Sequence, residues 1–291
     1  MCLFRIFDYR FRLMKSHGDR IINILHVISF TLLMAMSLFF FIYEVWFILP
    51  ILCETKSWSY TFYCSLSMYI LHNIIGNFLM CWLTDNSMKS LPNYRQHPPP
   101  TEASFWHLCT KCQMMVPPRS WHCQACKRCT LKRDHHCTFA ANCIGHNNHR
   151  YFICMLFHMS VGCGLCLVFN TIESYYAKSL FFADSLILFS IWGLIRQEIV
   201  DEHLWHIVSS CIIKLNFILT ALVIAQLVYQ LIILSRNSSC HRFKDCTYDQ
   251  GFKKNVELIM GRRKFWVLLS PLLDSPLPHD GTKWQLTKHH L

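Results

Sequence analysis

Four stretches of this chain carry no charged side chain over about 20 residues or more: Ile21–Tyr43, Tyr60–Thr84, Tyr151–Ile172 and Leu215–Leu234. Each meets the roughly 20 residues a helix needs to cross the hydrocarbon core of a bilayer. The fourth follows Lys214, whose long side chain can snorkel to the interface, so that span is read as 207–234. Ser179–Ile195 is apolar apart from Asp184 and fits an interfacial helix, a re-entrant segment or a fifth span. Between the second and third spans lies a polar stretch of a different kind, stiffened at its start by Pro98-Pro99-Pro100.

Composition agrees with a membrane solvent. Of 291 residues 53% are apolar and only 15% charged, and the mean hydropathy is +0.26. No small-residue cleavage site follows the first apolar core, so it reads as an anchor and not a cleaved signal. The expected fold is therefore an α-helical integral membrane protein with four transmembrane helices. No internal repeat of fixed period is expected.

The net charge of +11 does not point to nucleic acid, because it is distributed by topology. Lys and Arg number 5 in residues 1–20, 1 in 44–59, 9 in 85–150, 2 in 173–206 and 10 in 235–291. Basic and poor segments alternate across the spans, so the positive-inside rule expects residues 1–20, 85–150 and 235–291 to be cytosolic. Residues 44–59 and 173–206 are then lumenal. A fifth span would carry the basic tail across the membrane, which favours four.

The polar stretch holds the chemistry. Cys109, Cys112, His122, Cys123, Cys126, Cys129, Asp134, His135, His136, Cys137 and Cys143 fall within 35 residues. A reducing cytosol argues against a disulfide framework, and Cys–His spacings this short are those of tetrahedral zinc. Six cysteines and two histidines fill two closed sites. One cysteine is left beside an Asp-His pair, as an activated nucleophile would be.

Asp134-His135-His136-Cys137 resembles the motif of the DHHC protein S-acyltransferases, membrane enzymes that attach palmitate to cysteines. The likeness extends over the ligand series, Asn142-Cys143-Ile144-Gly145 with Asn148 and Phe152, and the order of spans. Tyr248-Asp249-Gln250-Gly251 with Asn255 and Gly261 is similar to the family's C-terminal segment. The resemblance implies two Zn²⁺ with interleaved ligands: Cys109, Cys112, His122 and Cys129 for one, Cys123, Cys126, His136 and Cys143 for the other. It implies Cys137 as nucleophile, His135 as general base and Asp134 as its orienter. A long-chain acyl-CoA such as palmitoyl-CoA would be co-substrate, and membrane-associated proteins with accessible cysteines the acceptors. Arg119 matches a position the family uses near CoA, with Lys127, Arg128, Lys132 and Arg133 adding positive charge. Endoplasmic reticulum or Golgi membranes are the expected location, with anionic lipid headgroups as further partners. A catalytically silent zinc-dependent membrane adaptor is the alternative.

Three departures stand out. Phe139 replaces the usual Trp, and Trp121 replaces a basic or His residue. The Thr-Thr-x-Glu motif expected after the last span is missing, the stretch reading Ser235-Arg236-Asn237-Ser238. In relatives that motif braces the active site, so its loss bears on rate. Gly162 and Gly164 are expected to admit close helix approach.

Overall fold

The computed structural model describes residues 17–176 and 201–287. Helix α1 (His17–Tyr43) runs on through a π-helical turn, Glu44–Ile48, and a short helical turn, Leu49–Leu52. Helices α2 (Trp58–Leu83), α3 (His149–Tyr176) and α4 (Asp201–Arg236) come after it, and all four long helices are apolar enough to cross a membrane. The segment Ser179–Ile195 lies outside the described residues.

Between α2 and α3 the chain makes three antiparallel hairpins of three-residue strands. These are β1 (His107–Cys109) with β2 (Met114–Val116), β3 (Trp121–Cys123) with β4 (Arg128–Thr130), and β5 (His135–Cys137) with β6 (Asn142–Ile144). They recur every 14 residues, which corrects the expectation of no fixed repeat. Cys109, Cys123 and Cys137 end the first strands, and Cys112, Cys126 and Ala140 occupy the turns. Gln113, Lys127 and Ala141 come next with φ of 52°, 52° and 46°. A left-handed backbone costs a side-chain-bearing residue about 1–2 kcal/mol, so the same strain in three copies marks one turn design. The repeat hides in the sequence because the third copy has alanine where the others have their second cysteine.

The chain divides into two compact units. One comprises Met36–Ile74 and Leu156–Tyr229. There Tyr43, Ile48 and Ile212 form a buried cluster with Phe40, Leu52 and Phe169 against it. Asn170 donates to the buried Glu44 carboxylate and Ser209 to that of Glu173. Of the two glycines, Gly162 fits close approach, since a Cβ there would stand 3.1 Å from the Ile70 side chain. Gly164 has nothing within 4 Å, so the expectation for it is not met.

The other unit comprises Met1–Ala35, Ile75–Met155 and Gln230–Leu291, and holds all three hairpins. Asparagines fasten them to the helix ends. The Asn142 amide donates to the carbonyls of Cys81, Trp82 and Thr84, the free C-terminus of α2. Asn148 donates to Cys81 and Cys143 carbonyls and accepts from the Gly145 N–H. Gly145 must be glycine, because a Cβ would meet the Leu131 carbonyl at 2.6 Å. Near the C-terminus, α5 (Phe252–Met260) is tied back to α4 by Asn255, which donates to the Ser235 carbonyl and to Asp249.

Candidate active site and metal-binding clusters

Strand alternation sorts the ligands. Successive residues of a strand point to opposite faces, so His122 and Cys123 in β3 cannot serve one site. His122 pairs across the hairpin with Cys129, and one hairpin later His136 pairs with Cys143. Each such His–Cys pair meets the two turn cysteines of the preceding hairpin. Two clusters result, Cys109/Cys112/His122/Cys129 and Cys123/Cys126/His136/Cys143, with ligand atoms within 4.8 Å of one another. Typical separations are 3.2 Å from Cys112 Sγ to His122 Nδ1 and 3.3 Å from Cys126 Sγ to His136 Nδ1. Three thiols and one imidazole nitrogen at such spacing suit a tetrahedral ion, so each cluster could hold one metal ion.

The same alternation places His135 and Cys137 together on the face of β5 opposite His136. Cys137 belongs to neither cluster. It stands where Cys109 and Cys123 stand in their hairpins, and it accepts the Ala140 N–H at 3.5 Å as Cys123 accepts the Cys126 N–H at 3.4 Å. The turn that prepares a thiolate for metal is therefore kept, without the partner ligands. Cys137 also hydrogen-bonds the His135 ring. His135 Nδ1 donates to Asp134 Oδ2 at 2.8 Å, which leaves Nε2 for the thiol.

Asp134 is buried, its side chain 1% exposed, and its carboxylate is saturated. The Cys240 backbone N–H reaches Oδ1 at 2.7 Å, while the Cys240 thiol at 3.1 Å and the Gln230 amide at 3.2 Å reach Oδ2. Burial alone would raise the Asp134 carboxyl, but the His135 hydrogen bond, with the neighbouring His149 and His135 rings and the Cys240 thiol, outweighs it and holds it well below the carboxylate range. The same contact works on its partner. Burial would lower His135, yet hydrogen bonds to Asp134, Cys137 and Cys240 push it up to about 12. A proton that His135 takes up is therefore held as an imidazolium–carboxylate pair beside the Cys137 sulfur, with the Phe152 ring 5.0 Å from that of His135.

The sequence model of the DHHC palmitoyltransferase family matches residues 102–247. The chain belongs to the DHHC palmitoyltransferase family. It is 29% identical over 231 residues to "Probable palmitoyltransferase ZDHHC24" of Rattus norvegicus, covering 76% of this chain and 77% of the relative. It is 30% identical over 167 residues to "Probable protein S-acyltransferase 12" of Arabidopsis thaliana, 55% and 52% of the two chains. To "Palmitoyltransferase akr1" of Schizosaccharomyces pombe the likeness is 42% over 74 residues, 25% of this chain and 11% of that one.

Within this DHHC chain some expected residues take other posts. Arg119, with φ 67°, donates to Asn237 Oδ1 and to the carbonyls of Asn237 and Ser238, at the C-terminal end of α4. Its guanidinium lies 4.2 Å from the Trp284 ring centre and 4.7 Å from that of Tyr248, and burial lowers it to about 10. It still lines one wall of a pocket shared with Trp121, Ser239, Arg242 and Asp245. Lys132 offers no surface charge. It is 2% exposed, with its ammonium 3.4 Å from His149 Nδ1. Arg128 is taken by Asp85 at 3.0 Å and by Asn142. Phe139 is half exposed.

Three site residues left little or no mark in the sequence pattern. Cys240 and Gln230 brace Asp134 although Thr-Thr-x-Glu is absent. His26 of α1 sets its Nε2 2.8 Å from Nε2 of His136, behind the nitrogen that faces the cluster. Gln230 and His26 left a signal, since each is a polar residue in a charge-free apolar span, where polar groups usually have a task. Cys240 left none, sitting in a short polar stretch that matches no pattern.

Proposed function

We propose that this chain is a protein S-acyltransferase that carries palmitate or a similar acyl group from acyl-CoA, through a thioester on Cys137, to cysteines of membrane-associated proteins. One observation carries the reading: Cys137 is a thiol in a metal-type turn, outside both clusters, hydrogen-bonded to a histidine fixed by a buried carboxylate. His135 takes the Cys137 proton, and Asp134 stabilises the imidazolium and holds its Nδ1–H tautomer. The Cys137 thiolate attacks the acyl-CoA carbonyl, the bond from that carbonyl carbon to the CoA sulfur breaks, and His135 returns a proton to the departing CoA thiolate. A substrate thiol then repeats the exchange on acyl-Cys137, with His135 as base.

The two Cys3His clusters would hold zinc, which when bound cross-links hairpins whose apolar core is small: Met88, Leu91, Trp106, Val116 and Leu131. Arg119 buttresses the pocket in which Arg242 is the freer cation, and CoA phosphate would be read there. The location that fits is a cytosolic membrane face of the endoplasmic reticulum or Golgi with both termini cytosolic, supported by the basic segments.

The test is labelling of purified protein with a palmitoyl-CoA analogue. Hydroxylamine-sensitive label that disappears in Cys137→Ser and persists in Cys246→Ser, a change at an exposed cysteine, is the expected result. Folded, zinc-loaded protein that takes no label would leave the adaptor reading in its place.

A further inference from the structure

A third group of ligand atoms adjoins the nucleophile. Asp134 Oδ2, His135 Nδ1 and Cys240 Sγ form a triangle with edges of 2.8 Å, 3.1 Å and 3.9 Å, and all three atoms lie within the span that the two Cys3His clusters show. Around a tetrahedral Zn²⁺ with ordinary bond lengths, O–N, O–S and N–S separations come to about 3.3–3.6 Å, so each edge is within about 0.6 Å of the requirement. Hard, borderline and soft donors together suit a borderline dication. The charges match as well, since a carboxylate and a thiolate neutralise it. The His135 side chain is 24% exposed and Cys240 only partly buried, while Asp134, 1% exposed, forms the inner wall.

We infer that Asp134, His135 and Cys240 form an inhibitory site for a borderline divalent cation such as Zn²⁺, separate from the two structural clusters. Binding replaces one proton with one ion. The Cys240 S–H proton is released to solvent, the His135 proton moves from Nδ1 to Nε2 through solvent, and bonds form from the ion to Cys240 Sγ, His135 Nδ1 and Asp134 Oδ2. No electrons change hands. Solvent water or an incoming ligand completes the fourth position. His135 is left neutral with its proton on Nε2, so it can neither accept the Cys137 proton nor stabilise the thiolate as an imidazolium. Asp134 is meanwhile drawn away from its role as orienter. Cys240 thus makes a brace that also answers to free metal, a property a hydroxyl in the same place would lack.

The consequence for activity rests on the acyltransferase reading; the binding does not. Full-length protein carrying its resident metal is titrated with Zn²⁺ while bound zinc and autoacylation from the palmitoyl-CoA analogue are both followed. One further zinc per chain is expected, with the acylation rate falling in step. Cys240→Ser keeps the backbone N–H to Asp134 but removes the sulfur, and should bind one zinc fewer. Losing even an outer partner of a ligand costs about 10–100-fold in metal affinity, so the half-inhibitory Zn²⁺ concentration, relative to the variant's own metal-free rate, should rise at least about tenfold. An extra zinc that persists in Cys240→Ser overturns the site. So does one that vanishes in Cys137→Ser instead, which would assign the ion to the nucleophile. Absence of label at every zinc level would defeat the acyltransferase reading, and the zinc count would still decide the third site.

Discussion

The first two hairpins and the third share a turn and differ in what surrounds it. In all three the first strand ends in cysteine, and the residue after the turn takes left-handed φ. In at least the second and third the cysteine sulfur receives a backbone N–H. Cys109 and Cys123 go on to meet a second turn cysteine and a cross-strand His–Cys pair from the next hairpin. Cys137 meets Ala140, and β6 leads into α3 with no fourth hairpin beyond it. The chain thus repeats one turn three times, with two copies inside Cys/His clusters that could each hold a metal ion and the third outside both. On the proposed function, metal would satisfy the thiolates of the two clusters, and Cys137, with His135 and Asp134 beside it, would take the acyl group.

This contrast can be broken most severely at the ligands. Cys126→Ser or His136→Ala should release the second ion and, with it, most of the loop's folding free energy, so that acylation is abolished at every pH. Zinc measured by elemental analysis should fall by one per chain or more. Retention of full zinc and full activity would contradict the cluster assignment.

His135→Ala should be the next largest change. Loss of a general base costs about 10²–10⁴-fold, with zinc content and folding intact. The sign of its pH dependence comes from the shifts. Because His135 is held up to about 12 in the fold, the imidazolium it forms on taking the Cys137 proton persists through the neutral and mildly alkaline range, and the wild-type rate should change little there. In the variant the Cys137 proton passes to solvent base instead, so its rate climbs as pH rises and the defect narrows. A defect that stays constant with pH, or zinc loss in this variant, would reverse the roles of His135 and His136.

The smallest effect sharpens the comparison within one hairpin. His26→Leu removes the partner of His136 Nε2 without touching any ligand atom. Chelator competition should show affinity at the second cluster lower by about 10–100-fold, the first cluster unchanged. Equal weakening at both clusters would mean that α1 acts through general folding.

Much of this was legible in the chain because the underlying physics is local. Absence of charge over the width of a bilayer marks a span, and the family resemblance gives the interleaved ligand sets, for which the strand register then supplies the reason. Asp134, His135 and Cys137 stood together in the sequence as a carboxylate, an imidazole and a spare thiol within four residues, and the fold keeps them in contact. What stayed hidden depends on long-range closure. Cys240 comes to Asp134 across 106 positions and His26 to His136 across 110. Arg119 is expected at CoA by its family position, and the fold adds what the sequence does not show, its hydrogen bonds to Asn237 and Ser238 at the end of α4. Lys132 reads as surface charge until burial places it against His149. The 14-residue repeat stayed hidden because a cysteine count, unlike a turn, does not register Ala140.

The most direct test is intact mass and metal content measured together on protein exposed to palmitoyl-CoA. The account predicts one hydroxylamine-labile acyl group on a chain with two zinc ions, and a Cys137→Ser variant with the same two ions and no acyl group. A Cys137→Ser variant that loses a zinc ion, or keeps its acyl group, would contradict it.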